Sequence, residues 1–527
     1  MKKLHYILLI ISFWLTLPVY SQRATYTETE MELMTYPFFN PNPVPETGII
    51  YPYFRFDGYS AKGEMQKHKM VVLENDYIKL WVTPDIGGKI WGAVEKSTGK
   101  EFIYFNHAVK FRDIAMRGPW TSGGLEFNFG VIGHAPTCSS PVDYLVRNNE
   151  DGSVSCFIGA IDLPSGTRWS VEINLPSDKA WFSTRCSWDN SKMTEQSYYH
   201  WTNLGLKTDG KLEYAFPGNH YLGHDGKAFS WPKDKTGREL QFYDNNDFGT
   251  YKSYHVYGNV TDFYGGFWHN DNFGFGHYSP YDEKPGKKIW IWGLSDQGMI
   301  WEKLLTDTDG QYTELQSGRL FNQEAAESTF SPFKHKGFMA GTTDEWTEYW
   351  FPVVGTNGLN YANEKGSVNL LRQQNMIQLA FCPNERVDGT LEVRDTKGVQ
   401  YKKELTLTPL QPFSASFEYD GRLEELAVYL NSGLFYQANP AKSEVKRPVE
   451  LANDFNWQSA YGHWVMGKEL EKQRQYGKAE AEYQKSLAEE RWFVPALNGM
   501  SLVHYRKTNY AEALKYALDA LSVDTYD

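Results

Sequence analysis

The chain has 527 residues, with 53 basic against 65 acidic side chains and a formal net charge of −12 at pH 7. This negative excess argues against nucleic acid or an anionic membrane as partner and favours neutral or cationic ligands. Aromatic residues make up 16% of the chain, which suits both a large β core and a surface that stacks on sugar rings. GxSxG, Walker, dinucleotide and HExxH motifs are absent from the sequence, so esterase, nucleotide, NAD and zinc-protease chemistry have no support.

The N-terminus and the cysteines both bear on the cellular compartment. Residues 1–21, MKKLHYILLIISFWLTLPVYS, combine two lysines, an apolar run and small residues before Gln22, the pattern of a cleavable secretory signal. The run is too short for a comfortable membrane span and no second one follows, so we expect a periplasmic or secreted protein without a membrane span. The four cysteines lie far apart. Isolated buried thiols are expected, with one bridge among the first three as the alternative.

Residues 22–354 are predicted to form one large antiparallel β-sandwich. Short alternating runs such as SVSCFIGAI, WSVEINL, AWFSTRCSW and KIWIWGL are separated by Gly, Asn and Asp, with almost no helical periodicity. This spacing of strands and turns is typical of a sandwich. Near the start, YIKLWVTPDIGGKIWGAVE predicts a hairpin, because a Pro/Asp/Gly/Gly turn separates two strands.

A first candidate site lies in the segment RGPWTSGGLEFNFGVIGHAPT. Its Gly-Gly pair allows close backbone approach, and Glu126 and Asn128, two residues apart, share one face of the predicted strand. Glu126 is predicted to be a catalytic carboxylate, with Asn128 and His134 contacting the substrate. The alternative is that Glu126 pairs with Arg112 or Arg117 and only holds the loop.

The next strand and the loops after it supply further candidates. In the segment YYHWTNLG, His200 is predicted to be catalytic, and Trp201 and Asn203 to bind substrate. His224 and Trp268 lie in segments rich in His, Asp and Asn, residues that also bind divalent ions. Their spacing matches no recognised ligand pattern, so sugar contacts are preferred and neither a metal nor a cofactor is expected. The alternatives are a structural role for His200 and core packing for Trp268.

The segment YTELQSG places Tyr312, Glu314 and Gln316 at alternate positions. In a strand these three side chains point the same way. A carboxylate, an amide and an aromatic edge suit the hydroxyls and C–H faces of a sugar. Glu314 is therefore predicted to be catalytic, and Tyr312 and Gln316 to bind the substrate; a solvated strand face is the alternative.

Two more regions follow the large sandwich. Residues 355–450 contain runs such as NMIQLAFC, GTLEVRD and FSASFEY, which predict a smaller accessory β-sandwich. Residues 454–527 switch to helical periodicity, and Tyr476, Ala479 and Tyr483 recur 34 residues later as Tyr510, Ala513 and Ala517. That period resembles the tetratricopeptide repeat, which predicts a protein partner on its concave face. Because such arrays normally need about three repeats, the chain is expected to be part of a longer protein.

The order of these motifs resembles known families. The Pro-x-x-Gly-Gly turn and the YTELQSG strand are similar to elements of the galactose mutarotase-like superfamily, over about residues 70–352. The series TPDIGGKI, GGLEFNFG, YYHWTNLG and YTELQSGR, followed by helical repeats, resembles the secreted bacterial DUF5107 family. The resemblance implies a mainly β protein, in which a galactose mutarotase-like supersandwich is followed by a smaller β-sandwich and α-helical tetratricopeptide repeats.

The same resemblance implies roles for individual residues. Glu314 takes the place of the superfamily's catalytic glutamate, and Gln316 orients the ligand. The superfamily also has a proton-donating histidine, and alignment on Asn203 puts Tyr199 in its position. The proton donor is therefore His200, Tyr199 or another residue, because one step along a strand reverses the face.

Three functions agree with these features. The first is a glycoside hydrolase that acts on a neutral oligosaccharide or glycoconjugate with Glu126 and Glu314 as its carboxylate pair. The second is a sugar mutarotase or epimerase with Glu314 as base and His200 or His134 as acid. The third is a non-catalytic carbohydrate-binding scaffold whose helical repeats recruit another protein.

Overall fold

The structure is a computed structural model of the chain. It describes residues 23–38, 60–112, 120–130, 133–163, 165–224, 226–321, 330–446, 448, 450 and 454–526. The predicted signal peptide, residues 1–21, lies outside the described residues. Within the described ranges, no helix is long and apolar enough to cross a membrane.

The first and largest part of the chain is built almost entirely from strands, joined by a single long helix among the residues that the structure describes. In chain order the strands are β1 (Thr25–Tyr36), β2 (Glu64–Glu74), β3 (Ile78–Thr83), β4 (Lys89–Glu95), β5 (Glu101–Ile103), β6 (Ala108–Lys110), β7 (Leu125–Phe129), β8 (Asp143–Asn148), β9 (Val154–Asp162), β10 (Thr167–Leu175), β11 (Phe182–Asn190), β12 (Gln196–Ser197), β13 (His200–Lys207), β14 (Leu212–Ala215), β15 (His220–Leu222), β16 (Ala228–Ser230), β17 (Tyr251–Tyr257), β18 (Phe263–Trp268), β19 (Phe273–Tyr278), β20 (Gly286–Trp292), β21 (Tyr312–Gly318), β22 (Gly337–Phe338) and β23 (Thr342–Val354). The helix α1 (Asp296–Thr306) connects β20 to β21.

These strands form two large sheets and a small third one, in which β12 pairs with β22. The larger runs in the order β16-β15-β17-β20-β21-β13-β7-β4-β3-β2-β1-β6, with β5 beside β4, and the smaller runs β14-β18-β19-β23-β11-β10-β9-β8. Alternation produces their shared core: in β10, Trp169, Val171 and Ile173 are buried while the residues between them are more exposed, as a half-buried strand requires. The predicted large β-sandwich is confirmed.

A second, smaller sandwich follows. Its strands are β24 (Tyr361–Asn363), β25 (Gly366–Gln373), β26 (Met376–Pro383), β27 (Val387–Asp395), β28 (Gly398–Leu407), β29 (Phe413–Glu418), β30 (Ala427–Leu430) and β31 (Gly433–Gln437). They form two four-stranded sheets, β24-β25-β26-β29 and β28-β27-β30-β31. The sheets enclose their own apolar core, which includes Val368, Leu391 and Val428, and this confirms the predicted second sandwich.

Four helices complete the described chain: α2 (Ala460–Lys472), α3 (Tyr476–Glu489), α4 (Val494–Arg506) and α5 (Tyr510–Val523). They pack as antiparallel pairs, and the ring of Tyr483 fills the space above Gly467 and Gly499, where a Cβ atom would lie 2.5 Å from that ring. The helices contact the first domain, where Lys472 donates a 2.7 Å hydrogen bond to the carbonyl of His335. The helical region predicted from the 34-residue period is confirmed.

The cysteines follow the preferred expectation. Cys138, Cys156, Cys186 and Cys382 are all buried and free. Burial raises the pKa of Cys156 to about 12, which makes its thiol inert near neutral pH.

Candidate functional site

A row of polar residues crosses the larger sheet near its centre. Glu126 on β7 lies opposite Asn203 on β13, which lies opposite Gln316 on β21. The row continues through Lys288 on β20 to His255 on β17. Residues directly opposite each other in adjacent strands share one face of a sheet, so side chains from five strands point to the same side.

A cavity of about 390 Å³ lies on this face, within the roughly 300–1,000 Å³ typical of small-molecule sites. Polar groups from the sheet and the loops line one part of it, and aromatic rings line the rest. The lining residues are Trp120, Asn128, Gly133, His134, Asn203, His224, Thr250, Tyr251, Lys288, Trp290, Trp292, Trp301, Glu314 and Gln316.

Glu314 brings a carboxylate to the cavity. Tyr312, two residues earlier on β21, donates a 3.0 Å hydrogen bond to its Oε1. Gln316 Nε2, two residues later, donates a 2.8 Å hydrogen bond to its Oε2. Burial raises the pKa of Tyr312 well above 10, and the nearby Glu314 charge adds to this. The phenol therefore stays protonated and donates to the carboxylate, so Glu314 is held in a single orientation.

Glu126 lies behind the cavity lining and is 2% exposed. Its carboxylate accepts hydrogen bonds from Trp120 Nε1 at 2.9 Å, Asn128 Nδ2 at 3.0 Å and Asn203 Nδ2 at 3.3 Å, and it contacts Nδ1 of His134. Each of these four partners lines the cavity. Glu126 thus fixes much of the cavity wall from behind.

Lys89 pairs with Glu126, and its Nζ lies 3.9 Å from Oε2. This differs from the alternative drawn from the sequence, a pair with Arg112 or Arg117, of which Arg117 lies outside the described residues. Burial alone would raise the pKa of Glu126, but His134, Lys89 and the Asn128 hydrogen bond together lower it to about 2. Glu126 is therefore ionised at neutral pH.

His134, in the loop after β7, lines the same cavity as Glu314. Its Nδ1 contacts Glu126 Oε1, and its ring packs on Trp120 with centroids 4.7 Å apart. These contacts fix the ring and leave Nε2 as the nitrogen available to a ligand. The cavity is thus bordered by the Glu314 carboxylate and the His134 imidazole, each with its own supporting groups, and by a second imidazole, that of His224.

The glycines before Glu126 explain how β7 fits between its neighbours. Gly124 has a positive φ of 63°, and a Cβ atom there would lie 2.4 Å from the carbonyl oxygen of Ile90. Only glycine satisfies both conditions at low cost. The sequence signal, a Gly-Gly pair that allows close backbone approach, therefore has a physical basis.

The structure corrects the placement of His200. His200 lies three positions before Asn203 on β13. Its side chain therefore points to the opposite face, into the core between the sheets. Its ring lies 4.5 Å from Phe129 and 4.4 Å from Trp346 of the other sheet, and it is fully buried. Burial lowers its pKa well below 6.5, so His200 is a neutral core residue.

Two predicted sugar-contacting tryptophans also lie elsewhere. Trp268 belongs to the smaller sheet, donates a 2.9 Å hydrogen bond to the carbonyl of Lys207 and stacks on Phe273 in the core. Trp201 shares the cavity face, but its ring is fully buried over Gly318 and beside His255. The core-packing alternative therefore describes Trp268, and Trp201 supports the floor next to the cavity.

Six predicted site residues line the cavity: Asn128, His134, Asn203, His224, Glu314 and Gln316. The sequence did not predict the aromatic wall of the cavity or Lys288. A signal existed in the run KIWIWGL, where period-two alternation places Lys288, Trp290 and Trp292 on one face. The missing information was that this strand pairs with YTELQSG, since helix α1 separates the two strands along the chain.

Within the described ranges, no group of three or more His, Cys, Asp or Glu side chains is arranged to hold a metal ion.

Two kinds of protein are among the solved structures to which this chain is similar. A TPR-domain containing protein from Parabacteroides distasonis is 17% identical, with 94% of this chain and 79% of that chain covered and a TM-score of 0.57. Galactose mutarotase-like proteins from Lactobacillus casei and Clostridium acetobutylicum are 11% and 10% identical. Each covers 54% of this chain, with 99% and 95% of their own lengths and TM-scores of 0.38 and 0.39.

A family model described as a domain of unknown function, DUF5107, matches residues 45–353. This range contains the cavity and every strand that forms it. Because the match spans more than half of the 527 residues, the chain belongs to the DUF5107 family.

Proposed function

We propose that the chain binds a saccharide in this cavity and interconverts its anomers by acid–base catalysis with Glu314 and His134. The observation that supports this is that a carboxylate and an imidazole, Glu314 and His134, line a single cavity. Each is oriented by groups behind it, Glu314 by Tyr312 and Gln316, and His134 by Glu126. Preorganised acid–base groups of this kind are what proton transfer requires.

The proposed reaction moves two protons. The Glu314 carboxylate accepts the proton of the anomeric hydroxyl as the bond between the anomeric carbon and the ring oxygen breaks. His134 donates a proton from Nε2 to the ring oxygen, which gives the open-chain aldehyde. Rotation about the adjacent carbon–carbon bond and reversal of both transfers then produce the other anomer and restore both residues.

Glu126 has a supporting part in this scheme. Its ionised carboxylate stabilises a positive charge on the adjacent imidazole, and its hydrogen bonds hold the Asn128 and Asn203 amides at the cavity wall. The Asn203 Oδ1 atom is buried without a hydrogen-bond partner among the described residues, and a sugar hydroxyl in the cavity would satisfy it.

Hydrolysis of a glycosidic bond is the second candidate. It is favoured by the aromatic wall, which reaches from Glu314 to the partly exposed Tyr251 and offers contact area for more than one sugar ring. Glycoside hydrolysis usually uses two carboxylates that flank the scissile bond. Glu126 is engaged with four lining residues, and this favours anomer interconversion as the first candidate.

Two further expectations stay predictions. Secretion is inferred from residues 1–21, and a protein partner is inferred from the 34-residue helical period. Both are compatible with an enzyme that meets saccharides outside the cell. Detection of the mature N-terminus of the exported protein would test the first.

The proposed function is tested with freshly dissolved single anomers of glucose, galactose and mannose. NMR exchange spectroscopy should show anomer interconversion above the uncatalysed rate. The Glu314→Gln and His134→Asn variants should each lose roughly 10²–10⁴-fold in kcat, the usual contribution of a general acid or base. The exposed Glu345, paired with Arg185 away from the cavity, provides the control variant Glu345→Gln.

Full activity in Glu314→Gln would contradict the proposal. The same preparations are incubated with oligosaccharides, and new reducing ends are measured. Release of reducing ends that Glu314→Gln abolishes would select hydrolysis over anomer interconversion. Saccharide binding without either reaction would select the non-catalytic scaffold.

A further inference from the structure

Aromatic rings extend from Glu314 to the rim of the cavity. Trp290 lies directly opposite Glu314 in the β20–β21 pair. Tyr251, at the start of β17, stacks on Trp290 with ring centroids 4.6 Å apart and planes 15° apart. Trp292 deeper in the wall is 2% exposed, whereas Tyr251 is 47% exposed. The aromatic surface therefore continues from the reacting carboxylate out to solvent.

We infer that Tyr251 and Trp290 form an outer subsite for a second sugar ring. The substrate is then a di- or oligosaccharide whose terminal unit occupies the cavity while the next unit lies on the aromatic pair. This inference rests on the proposed saccharide function and names its substrate class. A flat aromatic face at the mouth of a polar cavity matches the C–H face that a pyranose presents between its hydroxyls.

Neighbouring groups keep the two rings in place. The His224 ring meets Trp290 and Tyr251 edge-on, at centroid distances of 5.5 and 6.3 Å. The Lys288 ammonium lies 5.2 Å from the Trp290 ring centroid. Because these contacts fix the Tyr251 and Trp290 rings before a ligand binds, little conformational entropy is lost when a sugar stacks on them.

The same sheet contains a matched exposed aromatic outside the cavity lining. Phe229 on β16 is 44% exposed and stacks on Tyr221 with centroids 5.3 Å apart and planes 26° apart. Its exposure and stacking resemble those of Tyr251, but it does not belong to the residues that line the cavity. Phe229→Ala therefore controls for the loss of an exposed stacked ring.

The test compares chain lengths. Glucose, galactose and mannose, and their β-1,4-linked di- and trisaccharides, are titrated by calorimetry into the full chain carrying Glu314→Gln, so that binding is measured without turnover. In that background Tyr251→Ala should weaken binding of the di- and trisaccharides roughly tenfold and change monosaccharide binding less than twofold. Tyr251→Phe, which keeps the ring, should restore binding of the longer ligands, and Phe229→Ala should leave all affinities unchanged.

Each outcome separates this inference from the proposed function. Equal losses for all chain lengths, or no loss for any, would overturn the outer subsite even if anomer interconversion is observed. Length-dependent binding in a chain without catalytic activity would keep the subsite and overturn the proposed reaction. If none of the tested saccharides binds, both the outer subsite and the proposed function are overturned.

Discussion

Two buried glutamates, Glu126 of the larger sheet and Glu348 of the smaller sheet, contact opposite faces of β13 and have similar partners. Glu126 contacts a histidine and a lysine, His134 and Lys89. Glu348 likewise contacts His277 at 3.0 Å and Lys284 at 3.3 Å. The two clusters differ in what surrounds them, since partners of Glu126 line the cavity and those of Glu348 are sealed between the sheets.

The Glu348 cluster fastens the two sheets together. Glu348 extends from β23 of the smaller sheet and accepts hydrogen bonds from Thr202 at 2.9 Å and Ser317 at 2.5 Å on the larger sheet. Glu348, His277 and Lys284 all have fully buried side chains. These three groups have no access to a ligand, so the cluster affects stability and the position of the strands rather than the chemistry.

The comparison shows that a carboxylate–histidine–lysine cluster does not by itself indicate a functional site. Thr202 and Ser317, which bind Glu348, immediately precede and follow Asn203 and Gln316 of the cavity row. One face of β13 and β21 thus supports a cavity while the other joins the sheets. Access from a cavity is the property that distinguishes the two clusters.

The largest expected effect is on stability. Glu348→Ala leaves Lys284 as an uncompensated buried charge, and removal of one partner from a buried ion pair costs about 3–5 kcal/mol. Urea unfolding followed by tryptophan fluorescence would measure this loss. Glu345→Ala on the same strand, with its half-exposed side chain, is the control and should change stability by less than about 0.5 kcal/mol. A cost below about 1 kcal/mol for Glu348→Ala would remove the distinction between the clusters.

The sequence predicted the architecture well because strand periodicity, turn composition and the 34-residue helical period are local properties. It also predicted that Glu314 and Gln316 share a face, since alternation along one strand decides that. The catalytic role predicted for His200 was wrong. Alternation along the strand, counted from Asn203, already places His200 on the core face, but a histidine side chain suggested a proton donor. The pairing of β20 with β21 was inaccessible, since a helix and a loop separate them and only tertiary packing brings Trp290 beside Glu314.

A second prediction concerns acid pH and treats both glutamates alike. In each case burial would raise the pKa, but the adjacent histidine, lysine and hydrogen bonds lower it from 4.5 to about 2. The folded state therefore binds these protons more weakly than the unfolded state. The resulting stability is fully present above pH 4.5 and is lost as the pH falls toward 2, by on the order of 3 kcal/mol for each group.

The urea concentration at the midpoint of unfolding, measured at pH 7, 4.5 and 3, would report this loss of stability. Glu348→Gln and Glu126→Gln lack one titrating carboxylate each, so each variant should lose less stability than the wild type between pH 4.5 and 3. An unchanged pH dependence in both variants would show that neither glutamate has the strongly lowered pKa.

The smallest expected effect is on kcat in Glu126→Gln, and it tests the role of Glu126 in the site. Glu126→Gln keeps a side chain of the same size and one acceptor oxygen, which can serve Asn128 or Trp120 but not both. It also removes the charge beside His134. If Glu126 acts only by positioning and stabilising the imidazole, kcat should fall roughly tenfold with little change in KM, because one charge-assisted contact is lost. Glu348→Gln, assayed at a temperature where it is folded, should retain nearly full kcat, since its cluster has no access to the cavity. A loss in Glu126→Gln as large as that in Glu314→Gln would instead make Glu126 a reacting acid, and the carboxylate pair of a glycoside hydrolase would then explain the site better than the glutamate–histidine pair.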